Sequence, residues 1–208
     1  VGLKAGMNDA GEAISGMAKL ATAQPTGKFV GSTNSDLAFI GNYAVQGNYN
    51  GFQVWDISNP RQPQLVNGFY CPASQSDVSV YKNLMFMSAE AYNGRVDCKP
   101  GSGNPAGPDS VSKERMRGVR VFDISDIKNP KLVANVQTCR GSHTHTVLED
   151  PKDKENIYIY VSGSAPVRSP NELAGCYSRT ADSASTLMRV EIIKVPLANP
   201  ERSAVANR

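Results

Sequence analysis

The chain has 208 residues, with 22 basic and 19 acidic side chains and a formal charge of +3. That near balance provides no basic stripe of the kind that holds nucleic acid, and no run of apolar residues is long enough to cross a bilayer as a helix. A chain of this length can bury a substantial single core.

Residues 1–31 read as an N-terminal extension. Gly2, Gly6, Gly11 and Gly16 loosen its backbone. A short helix is expected around residues 10–18, and Ala18-Lys19-Leu20-Ala21 reads as the outer strand of a preceding unit. Leu37-Ala38-Phe39-Ile40-Gly41 then reads as a strand related to Leu84-Met85-Phe86-Met87-Ser88 and to the apolar run at 157–162.

The passage Gly51-Phe52-Gln53-Val54-Trp55-Asp56-Ile57-Ser58-Asn59-Pro60 returns 67 positions later as Gly118-Val119-Arg120-Val121-Phe122-Asp123-Ile124-Ser125-Asp126. Pro63-Gln64-Leu65-Val66 likewise returns as Pro130-Lys131-Leu132-Val133. A degenerate third copy is Val190-Glu191-Ile192-Ile193-Lys194-Val195-Pro196, followed by Asn199-Pro200. The pieces are short, rich in β-branched and aromatic residues, and bounded by Gly, Pro, Asn and Asp, which reads as strands.

Repetition of this kind predicts an all-β chain, a β-propeller with four-stranded antiparallel blades. Strand A falls at 77–81 and 144–148, and strand B at 84–90 and 157–162. Strand C falls at 51–56, 118–123 and 188–194, and strand D at 64–70, 131–138 and 202–207. Residues 32–208 thus hold about two and a half blades of a partial propeller. Propellers close with roughly four to eight blades, and an open wedge leaves sheet edges bare. The chain is therefore expected to be part of a larger ring, completed by missing blades of the same protein or by other subunits.

The four cysteines follow the repeat. Cys71 and Cys139 lie between strand D and the next strand A, while Cys98 and Cys176 lie in long insertions between strands B and C. These connections emerge at the same end of an up-and-down blade, so the expected pairs are Cys71–Cys98 and Cys139–Cys176, which place the protein in an oxidising, exported setting. The alternative is four buried free thiols in a reducing compartment. The insertions, 92–117 and 163–186, are much longer than ordinary hairpin loops and form a candidate binding face. The cluster Lys113-Glu114-Arg115-Met116-Arg117 reads as a solvated turn or short helix.

His143 and His145 are the only histidines. Two apart on a strand, they face one side and can ligate a transition metal; two ligands alone do not make a site, and the plainer reading is bonding to neighbouring loop backbone. Gln75 and Asp77 match them in the preceding repeat. Asp56 and Asp123 read as turn residues rather than a catalytic dyad, because each opens an Asp-Ile-Ser turn. The glycine-rich stretches do not form a phosphate-binding loop, and a G-x-S-x-G elbow is absent.

Residues 51–66 and 118–133 resemble the LVIVD-repeat family of bacterial and archaeal β-propellers. The shared pattern is a Gly, an alternating apolar strand, Asp-Ile-Ser, Asn/Asp-Pro, then Pro-x-Leu-Val. The third copy departs, with Lys194-Val195-Pro196 where Asp-Ile-Ser is expected. The resemblance covers most of residues 32–208 and implies the propeller fold and an exported or surface-associated protein, without implying an activity. The segment 142–146 looks like the axial histidine position of the selenium-binding protein and methanethiol oxidase propellers, where histidines hold metal.

The expected function is a non-catalytic exported scaffold that mediates protein–protein interaction or assembly at the cell envelope, membrane-associated without a span of its own. Gln75, Asp77, Arg115, Arg117 and Arg168 are its candidate binding residues. The alternative is a metal-dependent oxidoreductase or hydrolase, with His143 and His145 holding a divalent transition metal in a site completed by sequence outside the chain. No other cofactor is implied.

Overall fold

The computed structural model describes residues 2–6, 9–101 and 110–207. Among them stand three antiparallel sheets of four strands each, all wound up and down. The first contains β1 (Asn34–Ile40), β2 (Tyr43–Asn48), β3 (Gly51–Asp56) and β4 (Gln64–Tyr70). The second contains β5 (Val78–Tyr81), β6 (Leu84–Ala89), β7 (Gly118–Asp123) and β8 (Lys131–Gln137). The third contains β9 (Thr144–Asp150), β10 (Asp153–Ser162), β11 (Glu191–Pro196) and β12 (Ala204–Asn207). The first strands adjoin one another, β1 against β5 and β5 against β9, as the inner strands of successive propeller blades do.

The half blade expected at the start is a complete one. Leu37-Ala38-Phe39-Ile40 belongs to a first strand, not a second, and the second is β2, which sequence reading missed. Gln46, Gly47 and Asn48 make β2 look like a loop; pairing with β1 on one side and β3 on the other overrides that weak propensity. Residues 10–26 form neither helix nor strand, so the helix expected at 10–18 and the strand at 18–21 are absent. Ala23 and Pro25 instead border a shallow cleft against Ala44, Gln46 and Trp55 of the first sheet.

The third copy of the repeat is also displaced from its expected place. The Ile57 N–H donates to the Asn42 carbonyl and the Ile124 N–H to the Asn83 carbonyl, both at 2.8 Å; the third equivalent is the Leu197 N–H to the Glu155 carbonyl, also 2.8 Å. Pro196-Leu197-Ala198 therefore occupies the Asp-Ile-Ser position, two residues later than expected. Glu191 stands where Gly51 and Gly118 stand, as its pairing with Val161 shows. Those glycines have φ of +131° and +147°, and a Cβ on either would run into the carbonyl oxygen of Phe69 or Val136. That close approach is why a glycine opens each of the first two copies. The turns behave as the sequence suggests: Asp56 Oδ1 accepts from the Ser58 N–H and Asp123 Oδ1 from the Ser125 N–H, both at 2.8 Å.

Two apolar layers fill the gaps between sheets. Val45, Phe52 and Val54 meet Met85, Met87 and Phe122 in the first. There Phe52 stacks on Phe69 at 5.4 Å, and Phe122 sets its edge against both. In the second, Leu84, Phe86, Val119 and Val121 meet Ile157, Ile159, Val161, Ile193 and Val195. Full burial of each such side chain contributes about 1.5–3 kcal/mol.

Cys71 is bonded to Cys98 and Cys139 to Cys176, the pairing that the phase of the repeat implies. The second bond spans 37 residues, and closing a loop of that order contributes roughly 3–4 kcal/mol in the chain-entropy account. Replacing both Cys139 and Cys176 by Ser should lower the urea-unfolding free energy by about 3 kcal/mol. A loss under about 1 kcal/mol would show that packing alone holds the second insertion.

Candidate functional site

The described parts of the two insertions lie at one end of the sheets, each tied by its disulfide to the connection between one sheet and the next. There the inner strand β9 brings its histidines against the second sheet. His145 lies within the strand with its side chain fully buried, while His143 precedes the strand and its side chain is 46% exposed. Both lie on one side, as expected from alternation, and that side faces the second sheet. Gln75 and Asp77 are not their counterparts in the preceding repeat. The strand register aligns His143 and His145 with Ser74 and Ser76. Gln75 and Asp77 lie one residue out of phase, so they point the other way along the ring and meet the histidines across the gap between sheets.

The contacts form two linked groups. His143 Nδ1 lies 2.7 Å from Glu90 Oε2, and the Gln75 amide nitrogen approaches the same ring at 3.0 Å. Glu90 Oε1 accepts from the Ser164 N–H at 2.6 Å and the Ala165 N–H at 3.0 Å, which ties the root of the second insertion to the second sheet. Deeper in, His145 Nδ1 lies 2.8 Å from Ser88 Oγ and Nε2 lies 2.5 Å from Ser79 Oγ. The His145 N–H donates to Asp77 Oδ2 at 2.9 Å, and Ser142 Oγ meets Ser88 Oγ at 2.8 Å. The bonds go mainly to side chains of the facing sheet, rather than to the loop backbone.

Burial drives the pKa of His145 down to about 4, so at neutral pH the imidazole is uncharged, with one nitrogen donating and the other accepting. Burial raises the Asp77 carboxyl despite the bond from the His145 N–H. For Glu90, burial pulls upward, but the Ser164 N–H and His143 outweigh it and hold the carboxyl below the usual range. With both His145 nitrogens held by serines, the arrangement fits a polar clamp between two sheets better than a metal centre. Among the described residues no group of three or more His, Cys, Asp or Glu side chains is placed to hold a metal ion.

The second feature joins the two insertions. Arg115 and Arg117, read from sequence as part of a solvated cluster, are 2% and 1% exposed. They are buried because the second insertion folds over the first. Glu172 sits between the two loops: its Oε2 accepts from Arg115 Nη1 at 2.6 Å and its Oε1 from Arg168 Nε at 2.7 Å. The Ser112 N–H adds a third bond at 2.9 Å. Burial alone would raise the Glu172 carboxyl, but Ser112 and the guanidiniums hold it below the usual range. The Tyr92 ring lies 5.3 Å from the Arg115 guanidinium carbon and 4.7 Å from that of Arg117.

Sequence reasoning missed Glu90, Tyr92 and Glu172. Only Glu172 had a local signal, standing four residues after Arg168. It also passed over Arg120, a fully buried charge in the apolar strand β7 that donates to the Arg95 carbonyl at 2.8 Å.

Four-stranded sheets packed face to face with their first strands adjoining, two carrying the same glycine-led repeat and the third a degenerate copy of it, are β-propeller blades. Residues 31–70, the span of the first blade, match the LVIVD repeat. None of the curated proteins matches the chain. A solved structure, the crystal structure of the computationally designed Ika4 protein, covers 86% of this chain and 95% of its own at 13% identity and a TM-score of 0.35. At that level the likeness adds nothing to the fold or the function.

The clamp predicts how stability changes with pH. The unfolded histidine takes up a proton near 6.5 and the folded one only near 4. Stability contributed by neutral His145 is therefore complete above about pH 6.5 and is lost as the pH falls toward 4, a change on the order of 3 kcal/mol. The raised Asp77 carboxyl offsets part of this at the acid end, because its burial is relieved on protonation. Urea unfolding of His145→Gln should show a flatter decline over this range than the parent; parallel curves would remove His145 as the cause.

Glu172→Gln should leave Arg115 and Arg168 buried without their carboxylate. The expected loss is about 3–5 kcal/mol, read by denaturant unfolding. A change below about 1 kcal/mol would mean that solvent enters the knot freely.

Proposed function

We propose that the chain is part of an exported, non-catalytic β-propeller scaffold, and that it mediates assembly with other protein at the cell envelope. One observation carries this reading: the outward side of the third sheet. Tyr158 is the register equivalent of Val45 and Phe86, and Ile192 of Phe52 and Val119. In the first two sheets these positions are fully buried against the next sheet. In the third they line a shallow groove of about 350 Å³ with Leu148, Tyr160 and Ala206, and Leu148 and Tyr160 are 46% and 38% exposed. The covering that this repeat uses twice within the chain is another four-stranded sheet, so the same kind of sheet is the expected occupant.

The disulfide-stapled insertions, with Arg115, Arg117 and Arg168 beneath them and Gln75 and Asp77 beside them, supply the recognition face at the loop-bearing end. Two disulfides fit an oxidising location. No helix among the described residues is long and apolar enough to cross a membrane. The arrangement is one of binding rather than turnover, because the polar groups at this end are largely committed to holding sheets and loops together.

Lys194 projects from the outward side of the third sheet, between Tyr158 and the outer strand. Amine cross-linking of the native protein in its own cells should join Lys194 to a residue outside the three sheets, and Tyr158→Glu with Ile192→Glu should abolish that link. Finding Lys194 joined solely to residues of these three sheets would refute the assembly reading.

A further inference from the structure

We infer that the cavity between the two insertions binds a small oxyanion, a carboxylate or phosphate group carried by the protein's ligand. This rests on reading the loop-bearing end as a recognition face, and it adds the chemistry of what is recognised there.

The cavity has a volume of about 210 Å³ and is lined by Tyr92, Arg115, Arg117, Arg168, Ser169 and Ser178, among others. Pockets for drug-sized ligands begin at roughly 300 Å³, so this one fits a single small group. Its lining supplies guanidinium and hydroxyl donors around an aromatic ring, the chemistry that receives oxyanions.

Arg117 is the residue that carries the inference. Arg115 and Arg168 share the Glu172 carboxylate, but Arg117 makes no ion pair among the described residues. Its Nε donates to the Glu90 carbonyl at 3.1 Å and its Nη2 to the Pro166 carbonyl at 2.8 Å, both neutral acceptors. Its side chain is nevertheless almost wholly buried. Burial, helped by the positive charges of Arg168 and Arg115, pulls its pKa down to about 10, with partial relief from Tyr92 and Glu172. A guanidinium kept out of water beside two others is costly unless an anion answers it.

The geometry also holds the fork ready. Two backbone carbonyls fix one edge of Arg117, and the Tyr92 ring lies against it at 4.7 Å. That leaves Nη1 as the donor bonded to nothing among the described residues, on a side chain that lines the cavity. With the second N–H of Nη2, Nη1 forms the remaining edge of the guanidinium, and bidentate recognition favours arginine over lysine because that planar edge matches two oxygens at once. Lys at this position would keep the charge and lose the fork.

The test is a titration of the oxidised chain with inorganic phosphate and, separately, with acetate, each at ionic strength matched with sodium chloride. The readouts are the Arg117 Nε–Hε resonance and the thermal midpoint. The inference expects a saturable shift of that resonance and a saturable rise in midpoint with at least one anion, and whichever binds more tightly identifies the headgroup. Arg117→Lys should weaken the response at least tenfold. Should that variant fail to fold, Tyr92→Leu serves in its place, and the parent must still show one site per chain by calorimetry. No saturable response beyond chloride in the parent, or an equal response in parent and variant, overturns the inference. Neither result bears on the outward side of the third sheet, so failure here is distinguishable from failure of the assembly reading.

Discussion

Burial of the second sheet on both of its faces is the constraint on which the rest depends. A strand alternates its side chains between two sides, and in β6 and β7 both sides are mainly apolar, Ser88 and Arg120 excepted. Met85, Met87 and Phe122 enter one layer, while Leu84, Phe86, Val119 and Val121 enter the other. Every one of these is at most 1% exposed. A sheet so built cannot stand alone in water and needs a neighbour on each side. The first and third sheets are those neighbours; residues of the N-terminal segment border the other side of the first, and no further sheet among the described residues covers the other side of the third.

That two-sided packing also places the polar chemistry. Near the inner strands at the loop-bearing end the apolar layer gives way to serines, histidines and acids. Side chains from opposite sheets must satisfy one another there, because buried polar groups without partners are expensive. His145 meets this demand as a neutral ring between Ser79 and Ser88, and Glu90 meets it by joining His143 to the root of the second insertion. The loops above repeat the solution with charge: one carboxylate, Glu172, bonds to arginines from both insertions. Rigidity at this end therefore comes from the disulfides and the Glu172 bridge together, and Arg117 is the charge left over when that bridge is complete.

The opposite end carries the most repetitive sequence and the simplest chemistry. Asp56 and Asp123 each accept a backbone bond within their own turn, and their bonds to Ser58 and Ser125 hold both carboxyls below the usual range. The divergent ends of the repeats, by contrast, contain the cysteines, the histidines and the buried Arg115, Arg117 and Arg168. Similarity between copies marks what folds each blade, and difference marks what the loop-bearing end does with it.

The sequence alone determined most of the strands of the second and third sheets, the four-strand unit and both disulfide pairs. All three follow from local periodicity and from the phase of one repeat, and none requires knowing which sheet a side chain faces. It also identified the Asp-Ile-Ser turns, because their bonds close within two residues. Only the tertiary structure decided the rest. β2 became a strand because two neighbours paired with it, and the third copy slid by two residues because β11 pairs with β10 from Val161 opposite Glu191 to Asn156 opposite Pro196, with the Leu197 N–H closing on the Glu155 carbonyl beyond. Gln75 and Asp77 changed from counterparts of the histidines into their contacts, since a one-residue change of phase turns a side chain to the other face. Arg115 and Arg117 went from solvated to buried for a similar reason. Their environment is made by an insertion some fifty residues away in sequence, and local composition contains no record of what will fold over it.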